Sequence, residues 1–408
     1  MQEYVRRGTV TAEYTFRNPT NLIVETRCLF PFGFVPYDES QTEADKEYFK
    51  VKTNGKDLDK TIRHTYKADP FAKFDLEEDL RYFSDDFIAD DTLSTDLMVY
   101  EYVLDVKGAN GKLPTYVKFS DNVKNLKYIV ADNYVKYEKN GDITELVAWQ
   151  DGLKNGQLTL AFVGEDVTDI ESKFSFFDDK WKSVGGSVVK GKKVEYNFKD
   201  YALKFRPAGS EVSDVDWYNA TVAMIKSMMT TVIGVWKHSL STRLFRWYDY
   251  TLTFAPEETL VNTVSAPLYP SVNRNHVPPV YSYTYLLSPA AGWADFNNLT
   301  IRIYTDMYLL RGETRKSVTN PDGSVTIIGE TVDFAKNGGV YEARFEKLPD
   351  GDLTLFLCAS ENPERYKPPL GKVTKIIIIL STGIGMIVIA TIILVVTVKK
   401  QKTKGNQR

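Results

Sequence analysis

An uncharged, strongly apolar run near the C-terminus limits what this chain can fold into. It contains 23 consecutive residues without a charge, beginning with Ile376 and ending with Val398. As an α-helix this run is about 34 Å long, enough to cross a hydrocarbon core of about 30 Å with some tilt. The sequence therefore predicts one transmembrane helix over residues 376–398, with the lipid bilayer as its partner.

Segments of different composition flank this helix. Residues 361–375 contain prolines, which do not fit the interior of a helix or a sheet, so they are expected to form a stalk. Residues 399–408 form a basic tail with five positive charges and no negative charge. Four Lys or Arg residues stand before the helix, between residues 365 and 375. The positive-inside rule therefore favours a cytoplasmic tail and an extracytoplasmic body.

The N-terminus leaves a second topology open. Its first residues include a pair of arginines but no apolar run of the kind that a signal peptide requires. Read literally, the chain is a tail-anchored protein whose body lies in the cytoplasm.

The body that precedes the stalk has the composition of a β-rich globular protein. It is rich in Tyr and Phe, and aromatic side chains favour pleated, half-buried strands. Asn-Gly and Asp-Gly dipeptides, which favour tight turns, recur between segments of alternating polarity. In one such segment Tyr281, Tyr283 and Tyr285 share a face. These patterns predict a mainly β fold made of antiparallel β-sandwich regions.

The first two strands are expected to form a β-hairpin. Residues 10–17 alternate between apolar and polar side chains, which is the period of a strand. Residues 18–21, Asn-Pro-Thr-Asn, supply turn chemistry, and a second apolar run begins at Leu22.

One segment breaks the β pattern. Ser213 and Asp216 have the spacing of a capping box, and apolar residues then recur every three or four positions. We predict an amphipathic helix near residues 214–237 that packs across a sheet. It divides the body into an N-terminal β-rich region, residues 1–210, and a C-terminal region of helix and β-sandwich, residues 211–360.

Charge and cysteine content restrict the partners. The chain has a net charge of −3 although its last ten residues are basic, so its body is acidic and no nucleic-acid partner is expected. Cys28 and Cys358 are too far apart for a zinc-ligand cluster formed by local spacing. They are either two unpaired thiols or, in an oxidising compartment, a disulfide between the first hairpin and the last strand.

Three stretches carry a family resemblance. They are EYTFRNPTN followed by LFPFG near the start, PPVYSYTYLLSPAAGWADFNNLTIRIYT, and LPDGDLTLFLCASENP before the stalk. Together they resemble an uncharacterised group of exported, single-pass membrane-anchored, β-rich proteins of Gram-positive, clostridia-like bacteria. The resemblance implies a β fold and a place at the cell surface, but no activity. Members of that group begin with a signal peptide, so we expect the true start of this chain to lie upstream of Met1.

The densest carboxylate cluster lies between residues 75 and 91. It offers candidate calcium ligands, Asp85, Asp86, Asp90 and Asp91, because Ca²⁺ prefers carboxylate oxygens. Paired carboxylates of this kind can also serve a glycosidase as acid and nucleophile. The spacing of an EF-hand with its central glycine is absent, so a solvated acidic loop is the simplest interpretation. Calcium is the one cofactor that the sequence suggests.

Other candidate sites are weaker. Ser187 and Lys190 form an S-x-x-K pair, but the S-D-N and K-T-G motifs that accompany it in penicillin-recognising enzymes are missing. Three histidines, His64, His238 and His276, lie far apart in the sequence. Trp247, Trp293 and the tyrosine rows form either an aromatic platform for sugars or ordinary core packing.

The sequence therefore predicts a non-enzymatic binding or structural module outside the cytoplasmic membrane. Its partner is an unidentified surface ligand or protein. The alternatives are a cell-envelope hydrolase that works through the acidic cluster and a tail-anchored protein with a cytoplasmic body.

Overall fold

The fold is mainly β with antiparallel sheets, as predicted. A computed structural model describes residues 8–34, 48–67, 76–122, 128–131, 136–140, 143–153, 155–227, 232–234, 240–241, 243–287, 290, 296–320, 322 and 324–366. Within these residues the α-helices are α1 (Leu76–Asp79), α2 (Phe198–Leu203) and α3 (Asp214–Ser227).

The N-terminal sandwich consists of two antiparallel sheets. The β1 sheet has the strand order β1 (Gly8–Arg17), β16 (Thr259–Leu268), β3 (Lys50–Thr53) and β4 (Lys56–Asp57). The β2 sheet has the order β2 (Val24–Phe34), β15 (Leu244–Phe254) and β5 (Thr61–Tyr66). Alternate residues of both sheets, such as Val264 and Tyr248, fill the core between them. The predicted Asn-Gly turn at Asn54 joins β3 to β4, with both central residues at positive φ.

The predicted hairpin of β1 and β2 is wrong. β1 pairs with β16 and β2 pairs with β15, so the two strands lie in opposite sheets. Tyr14 of β1 and Phe30 of β2 meet edge to face across the core, with ring centroids 6.3 Å apart. The buried Asn18 fixes the crossing, because its side-chain amide donates to the carbonyls of Leu22 and Ala255, both at 2.8 Å. The two strands bury their apolar faces against each other and therefore stack instead of pairing.

The middle sandwich is built from a central stretch of the chain. The β6 sheet has the order β13 (Gly186–Asn197), β6 (Met98–Gly108), β11 (Gln157–Val163), β8 (Tyr128–Ala131) and β14 (Val232–Gly234). The β7 sheet has the order β12 (Phe174–Phe177), β7 (Tyr116–Asn122), β10 (Ile143–Trp149) and β9 (Lys136–Asn140). Residues such as Leu104, Phe119 and Phe162 form the core between these sheets. β14 pairs with β8 in the parallel direction, in contrast to the antiparallel pairing of its neighbours.

Helix α3 covers the other face of the β6 sheet. Trp217, Met224 and Ile225 pack with Val99 and Val163 in one apolar cluster. The prediction of a helix packed on a sheet is confirmed, but two parts of it are wrong. The helix ends at Ser227 and residues 232–234 form β14, so it does not run to residue 237. It is also not amphipathic, because all residues from Asp216 to Ile225 are buried between the sheet and the segments around it.

The C-terminal sandwich follows β16 in the chain. The β25 sheet has the order β17 (Ser271–Asn273), β19 (Val280–Tyr285), β25 (Asp352–Cys358), β21 (Tyr308–Thr319) and β22 (Val325–Val332). The β20 sheet has the order β20 (Asn297–Tyr304), β24 (Val340–Lys347) and β23 (Ala335–Asn337). β18 (His276–Val277) pairs with β26 (Glu364–Arg365). Leu287, Ala343 and Leu353 lie in the core between the two larger sheets.

Strand pairing crosses the predicted region boundary at residue 210. β1, β2 and β5 come before it in the sequence, and their partners β15 and β16 come after it. The predicted transmembrane helix and the basic tail lie outside the described residues. Among the residues that are described, no helix is long and apolar enough to cross a membrane.

Candidate functional site

The structure places Asp85, a predicted calcium ligand, in an ion network with two arginines. Arg27 donates from Nη1 and Nη2 to the two carboxylate oxygens at 3.1 and 2.9 Å, and Arg63 Nη1 donates to Oδ1 at 2.6 Å. Hydrogen bonds from Arg27 and then Arg63 lower the pKa of Asp85 to about 2. This carboxylate is therefore ionised and already holds two cationic partners.

Arg63 also binds a buried carboxylate on helix α3. Its Nε lies 2.9 Å from Asp216 Oδ1, and the backbone N–H of His64 donates to Asp216 Oδ2 at 2.9 Å. Burial opposes ionisation of Asp216, but hydrogen bonds from His64 and Arg63 outweigh it, so the pKa of Asp216 lies below its usual value. These contacts join strand β5 to helix α3.

Asp249 of β15 completes this ion network. We call it the arginine network, and its members are Arg27, Arg63, Asp85, Asp216 and Asp249. Arg27 Nε and Nη2 donate to the two oxygens of Asp249 at 2.8 and 2.5 Å. Both guanidinium groups also lie over the ring of Phe83, at 5.3 Å for Arg27 and 4.4 Å for Arg63. The network ties the segment around Phe83 to the outer face of the β2 sheet.

The remaining predicted calcium ligands lie further along the same segment. Asp90 accepts hydrogen bonds from the backbone N–H and hydroxyl of Thr92, at 2.8 and 2.6 Å, and Lys226 Nζ lies 3.3 Å away. Burial raises the pKa of Asp90, and the bonds from Thr92 and Lys226 lower it below its usual value on balance. Asp86 and Asp91 have exposed side chains. Within the described part of the chain, no group of three or more His, Cys, Asp or Glu residues is arranged to hold a metal ion. Calcium binding stays a prediction.

The S-x-x-K pair lies on an extended strand. Ser187 and Lys190 both belong to β13, and residues three apart on a strand point to opposite faces. The serine and the lysine therefore do not face one another as they would on a helix. Of the three histidines, His64 is buried and His276 belongs to β18, whereas His238 lies outside the described residues.

Of the two interpretations of Trp247, core packing is confirmed and the sugar platform is not, because Trp247 is buried and its indole N–H donates to Thr65 Oγ1 at 2.8 Å. Trp293 lies outside the described residues. A different aromatic group is exposed on the outer face of the β7 sheet. Trp149 and Trp181 are each about half exposed, and Trp181 stacks on Tyr116 with ring centroids 4.2 Å apart.

A cavity of about 690 Å³ lies between the N-terminal and C-terminal sandwiches. Three parts of the fold form its walls. The first is Gly8 to Tyr14 of β1 with Leu29 to Pro31 of β2, and the second is Leu299 to Met307, in and after β20. The third consists of residues of β19 and β25, which include Tyr283, Tyr285, Leu353, Leu355 and Leu357. Most of these side chains are apolar, and polar or charged side chains such as Thr11, Glu13 and Arg302 lie among them. That combination is typical of pockets that bind ligands.

Two tyrosine hydroxyl groups meet in the wall of this cavity. Tyr14 of β1 and Tyr285 of β19 are 3.1 Å apart between hydroxyl oxygens. Burial raises the pKa of both hydroxyls above the usual value, so both are protonated at neutral pH. The pair adds hydroxyl groups that can donate and accept hydrogen bonds.

No known protein family, curated protein or solved structure matches this chain. Sequence patterns did not indicate the cavity, because its walls combine strands that are up to about 350 positions apart in the chain.

Proposed function

We propose that this chain is a non-enzymatic binding module on the outer side of a cell membrane, and that the cavity between the N-terminal and C-terminal sandwiches is its binding site. The observation that carries the proposal is the size and lining of the cavity. Its volume of about 690 Å³ falls within the range of about 300–1,000 Å³ that is typical of ligand sites.

The arginine network argues against Asp85 as the acid of a glycosidase. A glycosidase acid must hold a proton near neutral pH, which requires a raised pKa. The pKa of Asp85 is about 2 instead, because Arg27 and Arg63 stabilise its charge. The network also stabilises the fold around the β2 sheet, which is the ordinary role of carboxylates paired in this way.

The predicted anchor and the family resemblance support the location. A single helix over residues 376–398 would hold the sandwiches close to the membrane, and the stalk would separate them from the lipid. The resembling proteins are exported and anchored in the same manner.

The test is to fill the cavity and measure binding of the apolar dye 1-anilinonaphthalene-8-sulfonate to residues 1–370. Leu286 lines the cavity and is half-buried, so Leu286→Trp adds an aromatic ring there at small cost to the core. The matched control is Ile143→Trp, at an exposed position of the middle sandwich. We expect saturable dye binding by the wild type and the control, and at least tenfold weaker binding by Leu286→Trp. Equal binding by all three folded proteins would contradict the proposal.

A further inference from the structure

Two unpaired strand edges line the cavity. β1 is the outermost strand of its sheet and pairs on one side with β16. β20 is the outermost strand of its own sheet and pairs on one side with β24. Within the part of the chain that the structure describes, neither strand has a second partner strand. Both contribute consecutive residues to the cavity wall, Gly8 to Tyr14 and Leu299 to Tyr304.

The register of β1 shows which backbone groups face away from its partner strand. Asn18 N–H donates to the carbonyl of Glu258 at 2.9 Å, and this pair continues the register of β1 with β16. Hydrogen-bonded pairs alternate along an antiparallel ladder, so the even-numbered residues of β1 bond to β16. The N–H and C=O groups of Thr9, Thr11 and Glu13 therefore point to the free edge.

These groups are available for pairing. Thr9, Thr11 and Glu13 are exposed, and an open strand edge is a template for another strand. The part of β1 that lines the cavity extends over about 20 Å at the usual rise per residue. That length suits a strand of ordinary size, about five or six residues.

We infer that the ligand of the cavity is an extended polypeptide segment that pairs with the free edge of β1. Main-chain hydrogen bonds to Thr9, Thr11 and Glu13 hold it, and alternate apolar side chains enter the cavity beside Leu355 and Leu357. This inference rests on the proposed function and names the class of ligand.

Charges at the cavity indicate the composition of that segment. Glu13 is an exposed carboxylate among the lining residues and lies in the part of β1 whose edge is free. The nearby Arg302 is already paired with Glu342, with Nε 2.8 Å from the carboxylate. A Lys or Arg residue in the segment complements Glu13.

A displayed library of random ten-residue linear peptides provides the probe. Selection on residues 1–370, with the Leu286→Trp variant as counter-selection, is expected to enrich peptides that alternate apolar residues and carry Lys or Arg. The decisive variant is Thr11→Pro, which removes one outward N–H but no hydrogen bond to β16. The matched control is Thr11→Val, because both substitutions remove the contact of the Thr11 hydroxyl with Ser265.

We expect Thr11→Pro to weaken the binding of an enriched peptide about tenfold. This is the effect of losing one backbone hydrogen bond whose contribution lies at the upper end of the usual range. Thr11→Val should change the affinity for the same peptide less than twofold. Should Thr11→Pro fail to fold, N-methylation of alternate peptide amides gives the same test on unaltered protein. One set of alternate amides faces β1, so methylation of that set should cost about tenfold and methylation of the other set much less.

The outcomes separate the two proposals. If the dye binds in the cavity but no peptide is enriched, or if enriched peptides are insensitive to Thr11→Pro and to N-methylation, strand addition is overturned and a small apolar ligand takes its place. If neither dye nor peptide distinguishes the wild type from Leu286→Trp, the cavity is not a binding site and both proposals fail.

Discussion

Arg63 and Asp216 form a nearly buried ion pair between strand β5 and helix α3. Arg63 Nε lies 2.9 Å from Asp216 Oδ1, and only 10% and 2% of the two side chains are exposed. The pair connects the N-terminal sandwich to the helix that covers the middle sandwich. Two regions that are distant in sequence are therefore joined by charge as well as by apolar contacts.

Removing one partner of this pair should destabilise the protein strongly. Asp216→Ala removes the buried counter-charge of Arg63, which keeps Asp85 and Asp249 as partners, so the cost should lie near the lower end of the usual range of about 3–5 kcal/mol. The double variant Arg63→Met with Asp216→Leu should lose less stability than Asp216→Ala alone, because no buried charge is left over. Urea denaturation of residues 1–370 measures both. Asp86→Ala, at an exposed carboxylate, is the control and should change the free energy of unfolding by less than about 0.5 kcal/mol.

The arginine network should also make the protein sensitive to acid. The pKa of Asp85 is about 2 in the folded protein, and that of Asp216 is lowered as well. An unfolded Asp has a pKa of about 3.9, so ionisation of both groups favours the folded state. This contribution is complete above about pH 5 and is lost as the pH falls toward the folded pKa values. Melting temperatures between pH 2 and pH 7 should decline steeply in this window, and less steeply for Asp85→Asn. If the melting temperatures of the wild type and Asp85→Asn declined in parallel, Asp85 would not be a source of the acid sensitivity.

The sequence predicted the positions of turns and helices better than it predicted which strands pair with each other. The turn at residues 18–21 is where the pattern placed it, but the pattern does not distinguish a hairpin from a crossing between two sheets. That choice depends on β15 and β16, more than 200 positions later in the chain. The helix after residue 213 is also predicted from a local pattern, because apolar residues at helical spacing can be seen within a short stretch of sequence.

The candidate sites were harder to predict because they combine distant strands. Asp85 was singled out for its acidic neighbours, yet its partners Arg27 and Arg63 come from strands β2 and β5. An arginine such as Arg63 within a strand of buried residues signals a buried ion pair, but the sequence does not show which carboxylate it meets. The cavity leaves no local pattern, because it is the space between two sandwiches.

The two cysteines should behave as free thiols of different reactivity. Both are unpaired in the structure; Cys28 is half-buried and Cys358 is buried. Burial raises the pKa of Cys28 to about 11, so little reactive thiolate is present at pH 8. Ellman's reagent should therefore modify Cys28 slowly in the folded protein and Cys358 only after unfolding. The slow phase of the reaction should be absent from Cys28→Ala, which would assign this phase to Cys28. A melting temperature that falls on addition of dithiothreitol would instead reveal a disulfide.

The last prediction concerns the side of the membrane on which the body lies. Five Lys or Arg residues follow the predicted helix and four precede it closely, which favours a cytoplasmic tail. A short basic tail also gains about 1 kcal/mol per charge at an anionic lipid surface. We therefore expect protease added to intact cells to digest the sandwiches, and removal of residues 376–408 to release them from the membrane. Replacing Lys399, Lys400, Lys402 and Lys404 with Gln leaves one positive charge after the helix against four before it, so the charge difference is reversed and part of the population should be protected. Complete protection of the unaltered body in intact cells, with digestion only after permeabilisation, would place it in the cytoplasm and reverse the proposed topology.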